Sequence, residues 1–145
     1  MSRSADDLLP VSTHLFVYGT LRRGYRGEMQ ALLERRAEFV DTALFRGRLF
    51  LVDDYPGAIP SSKPDDIVHG DVFRLRDPAL VLAELDAYER CGAEGSGSEY
   101  YRKQAAVRLS SGRRIDAWIY LYGRPTLALR PIPCGDYLRC VRLLG

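Results

Sequence analysis

The amino-acid sequence predicts an α+β fold: a small mixed β-barrel-like sheet with a few covering helices. Strand-like runs outnumber helix-like ones, and they do not alternate with helices as a parallel α/β fold would require. Size is the third observation. The 145 residues, 46% apolar and 28% charged, suit one domain that buries a core without metal or disulfide help. A polar, aperiodic opening with Pro10 near its end is expected to be a flexible leader over residues 1–13, ahead of a single domain over 14–145.

Leu15 to Tyr18 is apolar, aromatic and β-branched, and reads as a buried strand. It runs into Gly19 and Thr20, a small-residue turn whose backbone N–H groups can hold an anion or a carbonyl oxygen. Glu28 to Glu38 places Met29, Leu32, Leu33 and Ala37 at helical spacing and predicts a short amphipathic helix. Phe39–Phe45 and Gly47–Val52 read as two strands. The Asp53 to Gly57 run is a turn by composition, and Ser61 to Asp66 a polar loop. Val68 to Leu75 alternates as a strand. Asp77 and Pro78 then signal a helix start, with the Asp side chain capping and Pro at the first position. Val81, Leu82, Leu85 and Tyr88 make its apolar stripe, and the glycines between Cys91 and Ser98 end it in a mobile loop.

Tyr100–Leu109 and Ile115–Tyr122 predict a hairpin across Ser110–Arg114. In its second strand Ile115, Ala117, Ile119 and Leu121 share one face. Asp116, Trp118, Tyr120 and Tyr122 share the other, read as the more polar one.

Several functions are excluded by composition. A net charge of +2 and scattered arginine pairs do not make a nucleic-acid surface. No basic-then-apolar signal and no bilayer-length apolar run occurs, and three cysteines without a CxxC pair suit a reducing compartment; a soluble cytoplasmic protein is expected, with no membrane partner. His14 and His69 lack metal-ligand spacing, and Asp53-Asp54 and Asp65-Asp66 fall in turn-forming loops, so no metal site is expected. Gly19 to Gly24 lacks the lysine and spacing of a phosphate-binding loop, and no cysteine–histidine pair has an orienting partner.

Glu89 stands out among the acids. It falls at the C-terminal end of its helix, where the macrodipole disfavours negative charge, and it follows Tyr88 on the apolar stripe. Both features raise its expected pKa towards the range of a general base that later acts as an acid.

The order Tyr18-Gly19-Thr20-Leu21-x-x-Gly24, then Leu85-Asp86-Ala87-Tyr88-Glu89, then the aromatic strand Trp118 to Tyr122 resembles the γ-glutamylcyclotransferase-like family. That family includes the γ-glutamylamine cyclotransferases and the plant AIG2-like proteins, and the likeness runs from about Leu15 to Leu138. The resemblance implies the family's fold and a cofactor-independent enzyme, of acyltransferase or lyase type, that releases 5-oxoproline from a γ-glutamyl compound. In that reaction the substrate's α-amine attacks its own γ-carbonyl. Glu89 matches the catalytic glutamate, whereas Glu84 and Asp86 do not occupy that position. The turn Tyr18, Gly19, Thr20 and Leu21 matches the loop whose backbone N–H groups hold the substrate's carboxylate.

Tyr120 is a candidate lining residue, the Tyr55 to Ile59 segment is similar to one lining the substrate side, and Tyr100-Tyr101-Arg102 matches a segment expected to be structural. Residues 132–138 resemble the family's closing segment. The only partner implied is the small-molecule substrate, with the leaving amine and the oligomeric state left open. Arg90-Cys91 departs from the family, where a glycine commonly follows the glutamate. Arg90 beside Glu89 would depress its pKa and weaken the base. The alternatives are a non-catalytic binding or interaction protein of the same fold, or a pathway-specific enzyme that removes a γ-glutamyl cap.

Overall fold

The computed structural model of the protein describes residues 12–19 and 28–140, so residues 1–11 of the leader predicted over 1–13 and the loop residues Thr20 and Leu21 lie outside the described residues. Eight strands and three helices follow one another in the described chain: β1 (His14–Val17), α1 (Glu28–Arg36), β2 (Ala37–Leu51), β3 (Pro56–Pro60), β4 (Ile67–Leu75), α2 (Pro78–Tyr88), β5 (Cys91–Gly92), β6 (Tyr100–Leu109), β7 (Arg114–Tyr122), β8 (Arg130–Pro131) and α3 (Tyr137–Cys140). Five strands, in the order β2-β4-β1-β7-β6, close into a mixed barrel when β6 returns to β2 at Ala43↔Leu109 and Leu44↔Arg108. The β1–β7 step, at Leu15↔Trp118, is parallel; the other barrel pairs are antiparallel. β3 and β8 extend the sheet from the second half of β2, and β5 lies parallel to the start of β6.

Alternation along the strands divides the apolar residues into two clusters. Phe16, Phe45, Val68, Val72, Val107, Ile119 and Leu121 belong to one, inside the barrel. Leu15, Val17, Phe73 and Leu75 point outward and join Leu32 and Leu33 of α1 and Val81, Leu82 and Leu85 of α2 in the other. Both faces of β4 are therefore buried. Gly70 in its middle stands where a Cβ would overlap the Val17 carbonyl oxygen and the Phe16 ring, so the strands meet there only because the residue has no side chain.

Five local expectations are corrected. The first helix ends at Arg36, not Glu38, because Ala37 and Glu38 already pair with Leu75 and Arg74. The two strands expected over 39–52 are one 15-residue strand, β2, which bends at a register shift between Phe39 and Asp41. Gly47 does not break it: a Cβ there would strike the Phe45 ring and the Ile59 carbonyl, so the glycine permits close packing. Asp77 takes a left-handed conformation (φ 51) with no side-chain cap bond; its backbone carbonyl accepts from the Leu80 and Val81 N–H groups instead. An N-cap side chain ordinarily reaches the first-turn N–H groups from an extended backbone, a conformation that Asp77 does not take. The apolar stripe of α2 stops at Leu85, since Tyr88 is 53% exposed. The segment after α2 begins with a pairing, Cys91↔Tyr100 and Gly92↔Tyr101, rather than as a loop throughout.

The hairpin and its two faces are as expected, but the face carrying Tyr120 and Tyr122 is not a polar one. Both tyrosines are buried in the outer cluster, and Gly57 of β3 lies so close over Tyr122 that a Cβ would come within 2.9 Å of it. Ser12 and Thr13 are bonded into the sheet: the Trp118 indole N–H donates to the Ser12 carbonyl at 2.9 Å, and the Leu75 N–H to that of Thr13 at 2.8 Å. Cys134 and Cys140 are disulfide-bonded, a pairing the spacing did not single out, and Cys91 is a free thiol. No helix among the described residues is long and apolar enough to cross a membrane.

Candidate active site

A cavity of about 560 Å³ opens beside the end of β1. Its walls are Phe16 to Gly19, Asp54 to Pro56 at the start of β3, Tyr88 to Arg90 at the end of α2, the Glu99-Tyr100 entry to β6, and Tyr120 of β7. Chain segments distant in sequence meet there because the barrel brings the ends of β1, β3 and β7 together beneath the C-terminus of α2.

Glu89 is the C-cap of α2 (φ −80, ψ −4), held by its own N–H donating to the Leu85 carbonyl at 2.8 Å. Its carboxyl is pushed up to about 7, first by burial and then by the negative charge of Glu99. The expected upward shift is present, and its cause is desolvation in the cavity wall. Arg90 does not reverse it. It is exposed, has a left-handed backbone (φ 53), and makes no ion pair with Glu89 among the described residues.

Tyr18, Gly19 and Tyr120, three of the residues singled out from sequence, line the cavity together with Glu89. The Tyr18 hydroxyl donates to the Tyr120 carbonyl at 2.6 Å and accepts from the Ala58 N–H at 3.1 Å, strutting the barrel from within. Burial first of all holds that phenol protonated, far above its ordinary range. Gly19 passes so close to Pro56 that a Cβ would meet the ring carbons at 3.0 and 3.2 Å. The Tyr120 hydroxyl donates to Asp86 at 2.7 Å, and burial followed by that acidic partner raises its pKa.

Four further residues enter the site. Tyr100 donates to the Pro56 carbonyl at 2.5 Å and fixes β3 over the barrel's outer face. Tyr55 donates to Glu99 at 2.7 Å, which raises its own pKa to about 12, and Arg124 stands 3.9 Å from the same carboxylate oxygen. Asp86 accepts from Arg102 and Tyr120 beside the cavity. The Tyr-Pro-Gly run pointed towards Tyr55. Nothing in the glycine- and serine-rich approach to Glu99 marked it, and only the fold brings it opposite Glu89. Among the described residues no three His, Cys, Asp or Glu lie close enough to hold a metal ion.

The chain matches the family described as gamma-glutamyl cyclotransferase, AIG2-like, over residues 15–139. The Escherichia coli (strain K12) protein named gamma-glutamylcyclotransferase family protein YtfP is 33% identical over 124 residues, covering 86% of this chain and 95% of that protein. The solution NMR structure of ytfP from Escherichia coli superposes with a TM-score of 0.59 at 32% identity, over 86% of this chain and 96% of that one. The crystal structure of an AIG2-like protein from Mus musculus gives a TM-score of 0.64 over 83% and 86% of the two chains; at 20% identity this likeness is one of fold. With a match spanning all but the two ends of the chain and a relative at one-third identity, the chain belongs to the γ-glutamylcyclotransferase, AIG2-like family.

Proposed function

We propose that the protein releases 5-oxoproline from a γ-glutamyl compound. The observation that carries this reading is Glu89: a largely buried carboxyl, poised near neutrality, on the wall of a cavity that also receives the end of β1. The substrate's α-ammonium gives a proton to Glu89, and the freed amine attacks the γ-carbonyl carbon to close the five-membered ring. The bond from that carbon to the leaving amine then breaks as Glu89 returns the proton to the departing nitrogen, and the ring nitrogen gives up its second proton, so that the products are the neutral lactam and the amine as its ammonium ion. One carboxyl near pKa 7 serves both steps, because it is neither too weak a base nor too weak an acid at neutral pH. The nucleophile is already tethered, so holding it at roughly 3–3.5 Å from the carbonyl carbon supplies much of the acceleration. Backbone donors of the turn that begins at Tyr18 and Gly19 hold the α-carboxylate in this reading. Assaying 5-oxoproline release across a panel of γ-glutamyl compounds tests it; release from none of them would point to a binding protein of the same fold.

The electrostatics make a second test. The base must start deprotonated, so the rate rises with pH and is half-maximal near pH 7. Glu99→Gln removes the negative charge that opposes Glu89 ionisation, so the midpoint moves to lower pH while burial keeps it above the ordinary carboxyl value. A midpoint that stays in place, read from a pH–rate profile, would separate Glu99 from the base.

Gly19→Val places a branched side chain against the Pro56 ring and displaces the turn. The KM for γ-glutamyl substrate is expected to rise about tenfold or more, a loss of roughly 1.4 kcal/mol of binding, while far-surface behaviour is unchanged. A folded Gly19→Val protein that binds γ-glutamyl ligands as the parent does would move the carboxylate site elsewhere. The steps above use no metal, so turnover is expected to persist in excess chelator; loss restored by a divalent cation would count against the scheme.

A further inference from the structure

We infer that Asp86 is a positioning residue for Glu89: its carboxylate fastens the last turn of α2 to the β6–β7 hairpin and sets where the Glu89 side chain stands in the cavity. The two acids are three residues apart, so they lie on adjoining parts of one helical face. Arg102 grips Asp86 with two prongs, Nε to Oδ1 at 2.8 Å and Nη2 to Oδ2 at 3.1 Å. Tyr120 adds a third bond, its hydroxyl donating to Oδ1 at 2.7 Å. Arg102 and Tyr120 are direct partners in the β6–β7 register, so both donors rise from a single rung of the hairpin. The guanidinium is itself held in place, with its carbon 4.3 Å from the centre of the Trp118 ring.

Apolar packing of Val81, Leu82 and Leu85 keeps α2 on the barrel, yet such contacts are non-directional and stop a full turn before Glu89. The bonds to Asp86 supply direction where the packing ends. They also reach the far wall of the cavity, since the Tyr120 carbonyl accepts from Tyr18. Burial alone would raise the Asp86 pKa. Arg102 and Tyr120 outweigh it and hold the carboxyl below its ordinary value, so the clamp remains charged throughout the range in which Glu89 titrates.

The rate arm of the test rests on the proposed reaction; a second arm does not. In Asp86→Asn, kcat for 5-oxoproline release is expected to fall about 10- to 100-fold, the scale of a misplaced catalytic group. KM should stay within about threefold and the pH midpoint should stay near 7. Arg102→Gln should do the same, and the double variant should be little worse than the poorer single one. Independently of turnover, amide hydrogen exchange at Glu89 and Arg90 should quicken at least about tenfold in Asp86→Asn relative to amides of β4. Glu38→Gln, which removes exposed ion pairs to Arg74 and Arg76, should leave every readout unchanged. A folded Asp86→Asn with parental exchange at Glu89, or with kcat within twofold of the parent, overturns the inference. Should Asp86→Asn not fold, Arg102→Lys, which keeps the charge but not the two-pronged grip, takes its place with the same expectations. If the parent releases no 5-oxoproline at all, the functional reading falls and the exchange measurement alone decides for or against Asp86.

Discussion

Glu89→Gln is expected to lower the rate of 5-oxoproline release by at least about two orders of magnitude, because the amide keeps the shape of the side chain but cannot accept the proton. Substrate binding should persist. The same substitution should stabilise the fold, and the sign follows from the shift. Glu89 is an ordinary carboxyl in the unfolded chain and titrates near 7 when folded, so the folded state holds its proton more tightly. That contribution is complete below pH 4.5, declines as pH rises through about 7, and is then gone. Glutamine never loses it. Above pH 7 the variant should therefore exceed the parent in stability by up to about 3 kcal/mol, and at pH 4 the two should be equal. Turnover at parental speed would make Glu89 a bystander; equal melting at pH 8 and pH 4 would mean that it is not desolvated.

Phe16→Ala is the largest stability loss expected. The ring lies fully inside the barrel, 6.4 Å from the Tyr18 ring and 6.2 Å from that of Phe45, and it fills the space over Gly70. Truncating such a side chain costs about 3–5 kcal/mol, against a total of roughly 5–15 kcal/mol for a domain. The midpoint of urea unfolding should fall accordingly. Gly70→Ala should also destabilise, and combining the two should cost less than their sum, since the added methyl then meets a carbonyl but no ring. Strict additivity would mean that the ring and Gly70 are not in contact.

The barrel strands were legible as runs of strand-forming residues between turn signals: the hairpin over Tyr100–Tyr122 and the strand Val68–Leu75 follow from that pattern. What the pattern misjudged is the polarity of a face where burial is two-sided. Tyr120 and Tyr122 looked polar because nothing local announces that α2 and β3 cover them. The gap between the strands predicted over 39–45 and 47–52 is absent because Gly47, lacking a side chain, lets β2 run on past the Phe45 ring and the Ile59 carbonyl. Within the site, Glu89 stood at a helix end that the sequence marks. Glu99 is placed by the entry to β6, and the bonds between Asp86, Arg102 and Tyr120 by the docking of α2 on the β6–β7 hairpin, which joins residues 16 and 34 positions apart.

The parallel step from β1 to β7 also bears on how the protein is made. A chain synthesised from its N-terminus exposes β1 long before its neighbour exists: the bond from Trp118 to Ser12 spans 106 residues. Without the β6–β7 hairpin the order β3-β2-β4-β1 is an open sheet, in which β1 lacks its second neighbour and β2 lacks the partner of Ala43 and Leu44. Closure is a late, non-local event, which slows folding and lengthens the time those edges can join another chain. Chains halted before Arg114 should therefore gather into aggregates, and the cavity, whose far wall is Tyr120, comes into being only once β7 has been made.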